Sequence, residues 1–125
     1  MKKLKEYFQY TKGSGVLATA DSNGKVDAAI YSSPHFLEEG TLSFIMRDRL
    51  THHNLQTNPY ATFLFMEDGP GYNGKRLFLK KIREEHNPEL IRKIKRRNFT
   101  DDNEEPMFLV YFTLDREYPL VGGQA

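Results

Sequence analysis

Residues 15–34 read Gly15-Val16-Leu17-Ala18-Thr19-Ala20-Asp21-Ser22-Asn23-Gly24-Lys25-Val26-Asp27-Ala28-Ala29-Ile30-Tyr31-Ser32-Ser33-Pro34. This stretch decides the fold class. Val16 to Ala20 is a short strand of small and apolar residues. Asp21-Ser22-Asn23-Gly24 is a turn, because Asn-Gly supports the positive φ that a tight hairpin demands. Val26 to Ser33 alternates as the returning strand, and Pro34 ends it because proline removes a ladder donor. So short a connection allows only antiparallel pairing, since a parallel return needs a crossover of a dozen or more residues.

Before the hairpin, residues 3–12 place Leu4, Tyr7, Phe8 and Thr11 at helical spacing, and Gly13 and Gly15 are expected to stop that helix. After it, Glu38-Glu39-Gly40 turns the chain into a third strand, Thr41 to Arg47. Leu42, Phe44 and Met46 share one face of that strand; Thr41, Ser43, Ile45 and Arg47 share the other. Asp48 is expected to cap a short helix running to about Thr57, which Asn58-Pro59 ends. Tyr60 to Met66 reads as a buried strand, residues 67–74 as a glycine-rich loop, and Lys75 to Ile82 as a fifth strand. Asn87-Pro88-Glu89 opens a helix with Leu90, Ile91 and Ile94 inward. Met107 to Leu114 is the last strand, and the tail from Arg116 is extended or loose. Six strands with short helices in one chain of 125 residues predict a mainly β (α+β) fold, a closed or partly closed antiparallel barrel. With no repeat and no dividing linker, residues 1–125 form one domain.

Composition narrows the function classes. Cys 0 excludes disulfides, thiolate metal sites and a cysteine nucleophile, and leaves four histidines as candidate nitrogen ligands. Eighteen basic against seventeen acidic residues give +1 overall, so net charge makes no case for nucleic acid or membrane. No apolar run is long enough for a membrane span, and Glu6, Gln9 and Lys12 break any signal-peptide core, so a cytoplasmic location is expected. Near-neutrality hides segregation. Residues 75–97 carry ten Lys or Arg against three Glu, and residues 98–125 carry six acids against Arg116. That basic segment reads either as a solvated face or as an anion-binding surface.

The chemistry-bearing stretch is Ile45-Met46-Arg47-Asp48-Arg49-Leu50-Thr51-His52-His53-Asn54-Leu55, where a strand runs into a helix start. A helix N-terminus presents unpaired N–H groups and the positive end of its dipole, so it accepts phosphate. Arg47 and Arg49 add forked cationic donors, and Thr51 adds a hydroxyl. The competing reading pairs both arginines with Asp48 or surface acids. His52-His53 point about 100° apart on a helix, so they read as surface or phosphate-proximal residues rather than metal ligands. Ser32-Ser33 lacks a nucleophile elbow, and residues 69–74 lack the Gly-Lys-Ser/Thr ending of a phosphate loop. Phe63, Phe65, Phe108, Tyr111 and Phe112 read as core and subunit interface.

Gly-Val-Leu-Ala-Thr (15–19), the Asn-Gly hairpin, Ala-Ala-Ile-Tyr-Ser-Ser-Pro (28–34), Gly-Thr-Leu-Ser-Phe (40–44), an arginine shortly before Thr51-x-x-Asn54-Leu55, and Asn58-Pro59 follow one another in order. Together they resemble the pyridoxamine 5′-phosphate oxidase-like FMN-binding split-barrel family, across residues 13–82 and more weakly through the last strand. The resemblance implies a six-stranded antiparallel split β-barrel (Greek key) with short flanking helices. It also implies a homodimer with FMN between two barrels, and oxidoreductase chemistry on a small-molecule substrate. Along the flavin ring it places Ala29, Tyr31, Ser32 and Ser33. Met46 and Arg47 would line the ribityl and phosphate path, Arg49 and Thr51 would grip the phosphate, and Arg76 would approach the flavin. Relatives that bind deazaflavin or haem, or that hold FMN without turnover, are the alternatives. Leu50-Thr51 stands where the family often has Arg-Lys. The tail Tyr118 to Ala125 carries no substrate-binding arginine and histidine, so vitamin B6 oxidation is not expected. No side chain reads as an evident catalytic acid or base.

Overall fold

A computed structural model describes residues 1–95 and 105–123 of the chain. The elements in order are α1 (Lys2–Tyr10), β1 (Gly13–Ala20), β2 (Val26–Tyr31), β3 (Leu42–Arg47), α2 (Leu50–Thr57), β4 (Tyr60–Glu67), β5 (Gly74–Glu85), α3 (Pro88–Lys95) and β6 (Met107–Pro119). All six strands join one antiparallel sheet in the order β2-β1-β4-β5-β6-β3. β2 and β3 are adjacent in sequence yet form opposite edges of that sheet. The sheet curls until these edges approach each other, and an isolated antiparallel bridge between His35 and Ser43 ties the connection to β3. The result is a barrel split between β2 and β3.

The hairpin forms as its sequence demands. Gly24 has φ +82°, and the Asp21 carboxylate accepts the backbone N–H groups of Asn23 and Lys25, both at 2.9 Å. Gly13 and Gly15 differ from expectation: they lie inside β1 rather than ending α1, and the helix instead stops at an extended Thr11. Close packing explains the glycine at 15, because a Cβ there would overlap the Phe63 ring and fall 2.7 Å from the Tyr31 carbonyl oxygen. β5 and β6 run well past their expected ends, to Glu85 and Pro119. They pair with each other over that length, with register shifts at Phe78/Leu79 and Lys81/Arg83. The expected loose tail is therefore strand as far as Pro119, since a partner strand supplies ladder bonds that local sequence does not announce.

Strand alternation sends Leu17, Phe44, Phe63, Phe65, Leu77 and Phe112 into the barrel, all at most 2% exposed. α1 closes one end through Leu4 and an edge-to-face contact of Phe8 with Phe65, centroids 5.0 Å apart. A second, smaller cluster lies under α3, where Ile91 packs with Leu109 and Tyr111. Of the expected aromatic cluster, Phe63, Phe65 and Phe112 are barrel core, and Tyr111 belongs under α3. β3 is consequently covered on both faces, and even Ser43 is fully buried. No described helix is long and apolar enough to cross a membrane.

The basic segment does not form one face. Lys75 pairs with Glu117 at 2.7 Å, Lys81 with Glu84 at 2.5 Å, and Arg83 with Glu38 at 2.5 Å. Alternation along β5 turns Arg76 and Lys80 away from the side that carries Lys75. Arg96 and Arg97, with acidic residues 101, 102 and 104, lie outside the described residues.

Candidate functional site

The split between the edge strands holds a groove of about 390 Å³, within the ~300–1,000 Å³ typical of small-molecule sites. β2 contributes Ala29, Tyr31 and Ser32 to it; the end of β3 contributes Met46 and Arg47; and the start of α2 contributes Arg49 and Thr51. Seven of the nine residues singled out from sequence therefore meet in one place, although β2 and β3 share no ladder. Two do not. Ser33 follows the end of β2 and does not line the groove. Arg76 lies on the outer face of β5, where its Nε donates to the Pro119 carbonyl at 2.9 Å and a second nitrogen reaches the Gly122 carbonyl.

The helix start differs in one respect from expectation. Arg49, not Asp48, is the N-cap residue, and no side chain caps the first turn. Asp48 is drawn away by His52: its carboxylate lies 2.9 Å from Nδ1, while Nε2 lies 2.8 Å from Glu84. His52 is buried and stacked on Phe108, with centroids 4.2 Å apart. It is therefore an interior strut between α2 and β5, where the sequence reading expected a surface or phosphate-proximal residue, and the Asp48 carboxylate sits one helical turn before it. Arg49 itself makes no side-chain cap bond, and the positive end of the α2 dipole borders the groove.

Thr51 is buried, and its hydroxyl lies 3.5 Å from the Asp27 carboxylate and within hydrogen-bonding reach of Tyr31. Burial pushes the Tyr31 phenol up and Asp27 adds to the rise; the Thr51 bond and the Arg49 charge pull the other way. Neutral at ordinary pH, Tyr31 presents a ring and one hydroxyl to the groove. Its ring is set edge-to-face on Phe44 at 6.1 Å, which ties it to the barrel core. Asn54, one turn further along α2, donates to the Thr19 hydroxyl at 3.1 Å and docks the helix on β1.

The arginines carry the anion chemistry. Arg49 makes a two-pronged contact with the Glu105 carboxylate, Nε at 3.0 Å and a terminal nitrogen at 2.9 Å, and Arg47 lies 3.9 Å from the same carboxylate. The competing reading of the junction is the one seen here: the arginines meet an acid, Glu105 and not Asp48. The donor set accepts a planar oxyanion in this structure, and forked guanidinium donors beside uncapped helix N–H groups suit a phosphate equally.

Asp27, Ile30, Ile45, Leu50, Lys95 and Met107 also line the groove and were not singled out. Asp27 was recoverable, because it shares the strand-alternation face of Ala29 and Tyr31. Lys95 and Met107 had no local signal, since α3 and β6 deliver them from distant sequence. Among the described residues no group of His, Asp and Glu is arranged to hold a metal ion.

No family model and no curated protein matches the chain in sequence. Solved structures do match its shape. An FMN-binding protein from Syntrophomonas wolfei superposes with a TM-score of 0.72 at 18% identity, covering 98% of this chain and 87% of that one. A Listeria innocua protein provisionally named a pyridoxamine 5′-phosphate oxidase gives 0.69 at 17% identity, over 95% and 96% of the two chains. An F420 reductase gives 0.71 at 15% identity, over 90% and 94%. The chain has the fold of the pyridoxamine 5′-phosphate oxidase-like split barrels.

Proposed function

We propose that the protein is an FMN-binding flavoprotein of the oxidoreductase type, working as a homodimer with the cofactor in the groove between β2 and β3. The observation that carries this reading is the joining, in one groove, of the apolar side chains Ala29, Ile30 and Ile45 to an end where Arg49 already holds a carboxylate. Arg47, Arg49, Thr51 and the first turn of α2 would hold the phosphate; Tyr31, Ala29 and Met46 would flank the ring system. The Glu105 carboxylate on Arg49 is a stand-in for the anion and shows that the donors fit one. Bound FMN would supply the redox chemistry, while the protein binds and orients it. Tyr31 and Thr51 bring neutral hydroxyls to the groove wall, and the buried Met46 and the aliphatic Ile45 make part of that wall apolar.

The dimer follows from surface that one chain leaves uncovered. Ile30, Val16, Leu64, Arg76 and Tyr118 form one row across the outer sheet face by register, and Ile30 is 80% exposed while it lines the groove. A second copy on this face would cover the groove's open side. It would also bring Arg76 towards a cofactor in the partner's groove, which reconciles its position with the role the resemblance implies.

The test is titration of the purified protein with FMN, riboflavin and the deazaflavin F420, followed by flavin fluorescence and sedimentation. Saturable FMN binding by a dimer supports the reading. Arg49→Gln with Thr51→Ala should weaken FMN by about 10-fold or more and riboflavin little, because only the phosphate loses charge-assisted bonds. No change in FMN fluorescence at any protein concentration would sink it, and tighter binding of F420 would exchange the cofactor while keeping the site.

A further inference from the structure

Glu105 stands two residues before β6 and reaches back across the fold to the start of α2. It is 22% exposed, whereas the Arg49 side chain is 68% exposed, so the acid is the better-seated partner of the pair. Its two oxygens span Nε and a terminal nitrogen of Arg49 in parallel, and one of them also faces Arg47. Two oxygens of a phosphate would take the same fork. The two anions therefore compete for one set of donors. Lys95 lines the same groove, and its ammonium is held below the usual lysine value by burial and then by the Arg47 charge. Arg47 and Lys95 thus add basic side chains to this end of the groove. Of the nearby acids, Asp27 faces Thr51 and Asp48 faces His52.

We propose that Glu105 is an intramolecular competitor in the groove: a counter-ion that holds Arg49 and Arg47 until a dianionic phosphate monoester displaces it, and so sets the affinity of that end for phosphate. This rests on the reading of the groove as an anionic-cofactor site and adds to it an occupant that the phosphate must displace. A carboxylate carries one negative charge, whereas a phosphate monoester carries about −1.5 to −2 near neutral pH. A phosphate monoester therefore outcompetes Glu105. A neutral flavin gains nothing from displacing it, and a singly charged ligand merely exchanges like for like. The Arg49 side of the pair is largely solvent-facing, which limits the cost of releasing it and does not forbid binding.

The experiment compares wild type with Glu105→Gln, which keeps the side-chain shape and removes the charge, using FMN, riboflavin and inorganic phosphate as probes. FMN should bind the variant about 3- to 10-fold tighter, with riboflavin unchanged, and inorganic phosphate should raise its Tm at lower concentration than in wild type. In an Arg49→Gln background the same substitution should change FMN affinity far less, which a merely structural role would not predict. Equal or weaker FMN binding by Glu105→Gln, with normal binding by wild type, overturns the inference and leaves the cofactor reading intact. If neither protein binds FMN but phosphate still stabilises the variant more, the cofactor reading falls and the counter-ion role stands. If phosphate affects neither, the counter-ion role falls as well. Should Glu105→Gln not fold, the wild-type Arg49 Nε–H resonance decides. Saturable movement on adding inorganic phosphate supports displacement, and a resonance that stays still refutes it.

Discussion

Glu84→Gln tests the strut that sets the groove's helix against the barrel. The Glu84 carboxylate accepts from Gln56 at 2.9 Å and from Lys81 at 2.5 Å, and meets His52 Nε2 at 2.8 Å. Burial pushes this carboxyl up, but the contacts with Gln56, Lys81 and His52 outweigh it and hold the group at about 2, against an ordinary 4.5. Because the folded state binds this proton more weakly than the unfolded chain, the stabilisation is full above about pH 5. It is lost as the pH falls towards 2. At ~1.4 kcal/mol per pH unit the gap corresponds to about 3 kcal/mol, an order-of-magnitude figure for a group with limited exposure. The amide removes that contribution at pH 7 and leaves the Lys81 ammonium without its counter-charge. With urea m-values of ~1–3 kcal/mol/M, the unfolding midpoint should fall by about 1–3 M. With Trp 0 in the sequence, far-UV circular dichroism or tyrosine fluorescence is the probe. The diagnostic quantity is wild type minus variant, since other carboxylates titrate in both. That difference should shrink between pH 5 and pH 2. A difference that stays constant across this range, or midpoints within about 0.3 M at pH 7, would refute the argument.

Other substitutions probe the fold that carries the groove. Phe63→Ala, at a fully buried ring in mid-barrel, should cost about 3–5 kcal/mol in chemical denaturation. Gly15→Ala should destabilise by about 1–3 kcal/mol despite its small size, because the new methyl meets the Phe63 ring and the Tyr31 backbone. A thermal melt unchanged from wild type would show that β1 can shift away from β2 and β4. Ser43 Oγ is buried without a hydrogen-bond partner among the described residues, so Ser43→Ala should raise stability by up to about 1 kcal/mol. A lower Tm would reveal a partner for that hydroxyl.

Much of the fold was legible because local rules and tertiary demands agree. The Asp21–Gly24 turn, the alternation of β3 and the Asn87 cap, whose side chain accepts the Leu90 N–H at 3.1 Å, each follow from chemistry within a few residues. Where the reading departed from the structure, a distant partner had intervened. Asp48 looks like a cap, but His52, held from the other side by Glu84 on β5, takes its carboxylate. Gly13 and Gly15 look like helix breakers, but they are strand residues made small by β4 lying across them. The end of β6 looks like a tail until β5 pairs with it.

The same division holds for the site. Sequence alone determined the chemical kinds: two arginines and a threonine at a strand-to-helix junction, and a tyrosine on an alternating strand, because residue type and period are local properties. Only the tertiary structure decided that these stand in one groove. β2 and β3 never pair, and they face each other because the sheet curls through four intervening strands, joined by pairings that no short window of sequence contains. Only the tertiary structure, too, could seat Glu105 on Arg49 across more than fifty residues, since the field of a charge acts through space and takes no account of chain order.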